Sequence, residues 1–149
     1  GLALQALAAA DAQRHDAASC TTGPGSKDPA VMAGLAFLRS VQNPDGGFPG
    51  FGGGTSASST GLALQGLAAF GEPARALSWT KTITDGTASA LTLHNPVDTL
   101  LGLQTPAGGF PGFGGPNDPD ATYQALPGLL ARAFPASIRW QQFVPMARR

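Results

Sequence analysis

Charge and cysteine are both scarce in this sequence. Among its 149 residues, nine are Lys or Arg and nine are Asp or Glu, so charged residues make up 12% and the net charge is zero. A typical soluble domain carries about a quarter. The missing basic excess excludes the electrostatic footprint of a nucleic-acid binder. The low charge itself has two readings, an exterior covered by something else or a biased composition, and the sequence leaves both open. Cys20 is the only cysteine, which rules out an internal disulfide and a cysteine-based zinc site. It is either a free thiol or one whose partner lies outside this sequence. His15 and His94 have no second ligand at metal spacing and read as loop histidines. No run reaches the roughly 18 apolar residues of a membrane-spanning helix. The chain has no phosphate-loop Gly-Lys-Ser/Thr, no Gly-x-Ser-x-Gly and no His-Glu-x-x-His, and no cofactor is implied.

What the chain does have, it has twice. Gln42-Asn-Pro-Asp-Gly-Gly-Phe-Pro-Gly-Phe-Gly-Gly53 returns as Gln104-Thr-Pro-Ala-Gly-Gly-Phe-Pro-Gly-Phe-Gly-Gly115, at an offset of 62 residues. The offset holds without a gap on both sides. Leu38 falls on Leu100, and Thr60, Ala63, Leu64, Gly66 and Leu67 fall on Thr122, Ala125, Leu126, Gly128 and Leu129. Self-similarity at a fixed period is the mark of a repeat architecture. The residues of the repeat are Gln42, Gly46, Gly47, Phe48, Gln104, Gly108, Gly109 and Phe110.

Each unit reads as helix, Gly-rich loop, helix. Asp28-Pro29 precedes an apolar-periodic run from Val31 to Val41, with Asp as N-cap and Pro at the first helical position. Leu35, Leu38 and Val41, with Met32 and Phe37, predict one broad apolar face. The loop passes through Phe48 and Phe51, and Ser56 to Thr60 offer N-cap hydroxyls. A helix from Ala57 to Phe70 should bury Leu62, Leu64 and Leu67 and stop at Gly71. In the second unit Asn95-Pro96 starts a short helix carrying Val97, Leu100, Leu101 and Leu103. The loop runs from Pro106 to Asn117. Asp118-Pro119 starts a helix to about Phe134, with Pro127 expected to kink it or break a turn.

The first residues, Gly1-Leu-Ala-Leu-Gln5, repeat Gly61-Leu-Ala-Leu-Gln65. A first helix is expected over about Leu2 to Ala12. Residue 1 thereby falls inside a unit, so the expectation is a single domain over 1–149, truncated at its N-terminus. Its units are a partial one at about 1–27, then 28–90 and 91–149. Two connections look like embellishments, Arg14 to Lys27 and Glu72 to His94. Thr82-Ile-Thr, Asp85-Gly86 and Thr87-Ala-Ser suggest a β-hairpin over 80–93 with a two-residue turn. Near the C-terminus, Ile138, Trp140, Phe143 and Val144 stand at helical spacing.

Phe37-Leu38-x-x-x-Gln42-x-x-x-Gly46-Gly47-Phe48 resembles the glutamine–tryptophan repeat of squalene and oxidosqualene cyclases, with Phe in place of the final Trp. Gly109-Phe110-x-Gly112 through Asp120-Ala-Thr-Tyr123 is similar to the protein-prenyltransferase β-subunit repeat. The nearest likeness is to secreted bacterial members of this superfamily, relatives of cobalamin-binding transcobalamin and intrinsic factor. The motifs carrying it are the Gln-Asn-Pro-Asp-Gly-Gly-Phe loop and the helix Ala121-Thr-Tyr-Gln-Ala-Leu-Pro127. The resemblance implies an all-α fold, a partial α/α toroid of about half a ring. Asp28–Gln42 and Pro96–Gln104 would be outer helices, Ala57–Phe70 and Pro119–Phe134 inner ones. It also implies a secreted or cell-envelope location. Uncovered end faces of a repeat array call for a neighbour: other protein subunits, the missing half of the chain, or a second copy.

The same likeness frames the candidate sites. Gln42 and Gln104 correspond to glutamines that tie neighbouring helix ends. Phe48, Phe51, Phe110 and Phe113 could all line an apolar pocket, but the preferred reading of all four is as loop anchors; Phe51 and Phe113 are kept as ligand-binding candidates. Asp118, Asp120, Thr122 and Tyr123 fall at the mouth end of an inner helix, where a prenyltransferase holds zinc, and Asp118 and Asp120 equally fit helix capping. Thr122 stands where that family has its Cys ligand, so no metal site follows. Asp118-Pro-Asp120-Ala lacks the Asp-x-Asp-Asp acid of the cyclases, and the thioester Cys-Gly-Glu-Gln is absent. No catalytic residue is assigned. The expected function is a non-catalytic structural, accessory or binding protein of the envelope that packs with subunits or holds a hydrophobic ligand. The alternatives are a terpenoid cyclase or prenyltransferase with its acid in missing sequence, and a corrinoid binder.

Overall fold

The computed structural model describes residues 2–6, 8, 29–84 and 91–132. These residues are mostly helical, with two small antiparallel β-hairpins. Helix α1 covers residues 2–6. It is followed by α2 (Pro29–Val41), α3 (Ala57–Ala69), a 3-10 turn (Leu77–Trp79), β1 (Lys81–Thr84), β2 (Leu91–His94), α4 (Pro96–Gly102), β3 (Phe110–Gly112), β4 (Gly115–Asp118) and α5 (Pro119–Leu129).

Helix starts follow the local chemistry. Ser56, Asn95 and Asp118 are the N-caps of α3, α4 and α5, each in extended conformation with its side chain accepting from a backbone N–H one turn in. Such a cap satisfies one of the donors a helix leaves open at its start. Pro96 and Pro119 take the first helical position, where a missing N–H costs nothing. At the other end of α3, Gly71 adopts a positive φ of 67° and terminates the helix. Helix α4 is shorter than expected. Leu103 and Gln104 donate to Leu100 and Leu101, a tightening of the last turn that closes the helix before Pro106. Helix α5 runs through Pro127 and ends two residues later at Leu129. The predicted N-cap Asp28, the loop with Cys20 and His15, and the tail with Trp140 lie outside the described residues.

The core has two lobes that repeat each other. One holds Leu4, Val31, Leu35, Leu38, Phe48, Ala63, Leu67 and Trp79. The other holds Ala57, Leu64, Leu100, Phe110, Ala121 and Ala125. Leu38, Phe48 and Ala63 of the first correspond to Leu100, Phe110 and Ala125 of the second. Helix α3 contributes to both lobes and is buried on nearly every side, as befits a helix between two layers. Helix α2 shows a narrower stripe than the sequence suggested. Val31, Leu35 and Leu38 are buried, whereas Met32 and Phe37 are exposed, because i, i+4, i+7 spacing selects one face and leaves both of them off it.

Trp79, fully buried, is held from several sides. The Arg39 guanidinium lies 4.5 Å from its ring centroid, its indole N–H donates to Glu72 at 3.3 Å, and Arg39 pairs with Glu72 at 3.4 Å. The expected hairpin at 80–93 forms, with Thr84 paired to Leu91 and Lys81 to His94; the turn expected at Asp85-Gly86 lies outside the described residues. The second Gly-rich loop, expected from Pro106 to Asn117, contains the hairpin β3–β4, with Phe110 opposite Asp118 and Gly112 opposite Gly115. Its counterpart in the first unit is closed by a single bridge between Pro49 and Thr55.

Candidate functional site

The two Gly-rich loops are built on the same hydrogen bonds. Asn43 N donates to Gly47 O and Gly46 N to Asn43 O, both at 2.9 Å; Thr105 N donates to Gly109 O at 2.9 Å and Gly108 N to Thr105 O at 2.8 Å. Gly46 and Gly108 have φ of 85° and 88°, a left-handed conformation that suits glycine. The amides of Gln42 and Gln104 donate to Gly46 O and Gly108 O at 2.8 and 3.0 Å. Gln42 also donates to Trp79 O at 2.8 Å, so it ties the end of α2 to the 3-10 turn. The backbone N–H of Phe48 donates to the Thr60 hydroxyl at 3.0 Å, and that of Phe110 to Thr122 at 2.9 Å. Each loop is thereby fastened to the first turn of the helix that follows it.

This frame separates the four phenylalanines into two kinds. Phe48 and Phe110 are 3% and 0% exposed and anchor the loops in the two lobes of the core. Phe51 and Phe113 are both 99% exposed, so the anchor reading does not hold for them. The bonds from Ser56 N to Phe48 O and from Gly50 N to Gly54 O turn the chain back at Phe51 and leave its ring at the loop tip. The two tips lie on one side of the molecule. Phe51 and Phe113, with Leu103 and Pro111, line an open groove of about 440 Å³ whose other wall is the start of α3, from Ser56 to Ser59. No charged residue lines it, and residues 46–71 and 99–117 contain none.

The polar residues singled out from the sequence do not join this groove as a cluster. Asp118 is 7% exposed and committed to the fold. It accepts from Ala121 N at 2.8 Å and from Gly114 N, and its backbone carbonyl accepts from the Thr122 hydroxyl at 2.7 Å. The amides of Ala121 and Gly114 hold its carboxyl below the usual carboxylate range, against the opposing effect of burial. Thr122 spends its oxygen on Phe110 and Asp118. Asp120 is exposed in the first turn of α5. Tyr123 is 62% exposed, on the side of α5 that carries Leu126 and Leu130. Gly109 and Phe110 belong to the loop frame, and Gly47 packs against Thr55 and Thr99. Among the described residues no group of three or more His, Cys, Asp or Glu could hold a metal ion, and no helix is long and apolar enough to cross a membrane.

Sequence reasoning missed the exposure of Phe51 and Phe113. The signal was present: each loop has two phenylalanines, and only the first precedes a proline and stands twelve residues before a threonine in the next helix that binds its N–H. No family model, curated protein or solved structure matches this chain.

Proposed function

We propose that this chain is a non-catalytic module of α/α-toroid type, about half a ring, which uses the uncharged groove between Phe51 and Phe113 to hold an apolar partner. That partner is a neighbouring protein subunit or a hydrophobic ligand, in the envelope setting that the resemblance implies. The observation carrying the proposal is the pair of fully exposed phenyl rings at equivalent positions of the two repeats. Exposed apolar area gathered in one place, without charge, is a mark of an interaction site. The fate of the polar candidates supports the non-catalytic half. Asp118 and Thr122 are used up in capping and loop closure.

Covering a phenyl ring contributes about 1.5–3 kcal/mol. Loss of both rings should therefore weaken binding by on the order of 10²- to 10⁴-fold. The test is the native mass of the particle that contains this chain in its source cell, together with binding of a neutral solvatochromic dye to the purified chain. The expected result is a particle heavier than the 15.0 kDa chain, or an apolar ligand retained by it, and loss of both association and dye binding in Phe51→Ala/Phe113→Ala. Unchanged association and dye binding in a folded double variant would reject the proposal.

A further inference from the structure

The packing of α3 on α5 shows how one helix of this row accepts the next. An ideal Cβ on Gly61 would lie 2.4 Å from Gln124 O and 2.7 Å from Ala125 Cα, and one on Gly128 would lie 2.5 Å from Gly61 O. The two backbones therefore approach more closely than any side chain at either position would allow. Gln65, 1% exposed, donates to Gln124 O at 2.7 Å across the contact. Gly61, Leu64 and Gln65 thus form the front of α3, and Ala121, Ala125 and Gly128 form the back of α5. Helix α1 obeys the same grammar. Leu4 and Gln5, which match Leu64 and Gln65, are buried, and Leu4 packs in one cluster with Ala63 and Leu67 of α3. Ala3 and Ala6, which match Ala63 and Gly66, are exposed.

The 62-residue offset carries the front of α3 onto Tyr123, Leu126 and Pro127 of α5. Tyr123 stands where Gly61 admits a backbone, and Pro127 stands where Gln65 donates its hydrogen bond. Tyr123, Leu126 and Leu130 are 62%, 45% and 70% exposed. We infer that α5 ends the row of close-packed helices, and that Tyr123 and Pro127 are the residues that end it. A helix of the α3 kind, from another repeat or a second copy, cannot seat on α5 at the α3–α5 spacing. A tyrosine side chain fills the space a backbone would need, and no amide is there to satisfy the facing carbonyl. Any partner on this face must meet it through side chains at ordinary distance.

The test extends the row. A second copy of residues 57–118 is inserted between Asp118 and Pro119 of the full chain, placing an additional Gly61/Gln65 front behind α5. The expected product gains helix and unfolds in one transition, with a midpoint at or above that of the parent. The same insertion with Gly61→Tyr in the added copy is expected to split the transition in two or to lower its midpoint below the parent. Equal midpoints with and without Gly61→Tyr would overturn the inference. So would an unsubstituted insertion without a cooperative transition, because the Gly–Gln front would then not be what propagates the row.

Discussion

Phe48 and Phe51 are three residues apart and differ in almost every physical respect. Phe48 ends in the core with its N–H bonded to Thr60; Phe51 ends in solvent. Phe48→Ala and Phe110→Ala should each cost about 3–5 kcal/mol, the usual price of emptying a buried aromatic site. Phe51→Ala and Phe113→Ala should stay within about 0.5 kcal/mol of the parent. Urea unfolding of the four variants measures the contrast. Asp118 makes a second prediction, with a sign. Its carboxyl is held below the usual range in the fold by the amides of Ala121 and Gly114. The stability it lends is therefore full above the unfolded-state value for Asp. It is lost as the pH falls through the lower folded-state value. In thermal melts from neutral pH downward, Asp118→Asn should start lower at neutrality and fall less steeply on acidification. A parallel fall in both proteins would count against this role.

At the scale of elements, the α3–α5 contact is set by backbone approach more than by side-chain volume. Helix propensity favours Gly61→Ala by up to about 1 kcal/mol. The contact opposes it, since the new methyl would meet the backbone of Gln124 and Ala125, and overpacking of this kind typically costs about 1–3 kcal/mol. The second effect wins because neither obstructing atom belongs to a flexible side chain. Gly61→Ala should thus lower stability, by up to about 2 kcal/mol net of the propensity gain. The same substitution at Gly102, in the last turn of α4, meets no atom within 4 Å and should not destabilise. Chemical unfolding of the two variants, one against the other, reads the difference.

At the scale of the whole molecule, much of the helix and loop pattern was legible because caps and repeats are local signals. Ser56, Asn95-Pro96 and Asp118-Pro119 announced their helices, and the offset predicted that Phe48 and Phe110 would share one role. What stayed hidden depended on three-dimensional packing. The exposure of Met32 and Phe37 follows from which face of α2 meets α3. The register of β1 with β2, with Thr84 opposite Leu91, is set by pairing between residues distant in the sequence, which their residue types do not spell out. The candidate site was half legible. The residue types in the groove were visible, but the division between anchoring and exposed phenylalanines required knowing where each loop turns. Asp118 looked like a ligand and a cap alike, and the hydrogen bonds chose the cap.

The uncharged stretch around the loops has a consequence for how the molecule is cut. No lysine or arginine lies between Arg39 and Arg75, or between Lys81 and Arg132, so trypsin leaves the segments 40–75 and 82–132, each with one Gly-rich loop and the helix after it, whole even after unfolding. Chymotrypsin faces the opposite situation. Phe48 and Phe110 are shielded twice, by burial and by the prolines that follow them, while Phe51 and Phe113 stand in solvent with glycine next in the chain. The folded protein is open to nicking at the two loop tips, and whatever covers the groove would protect both bonds together.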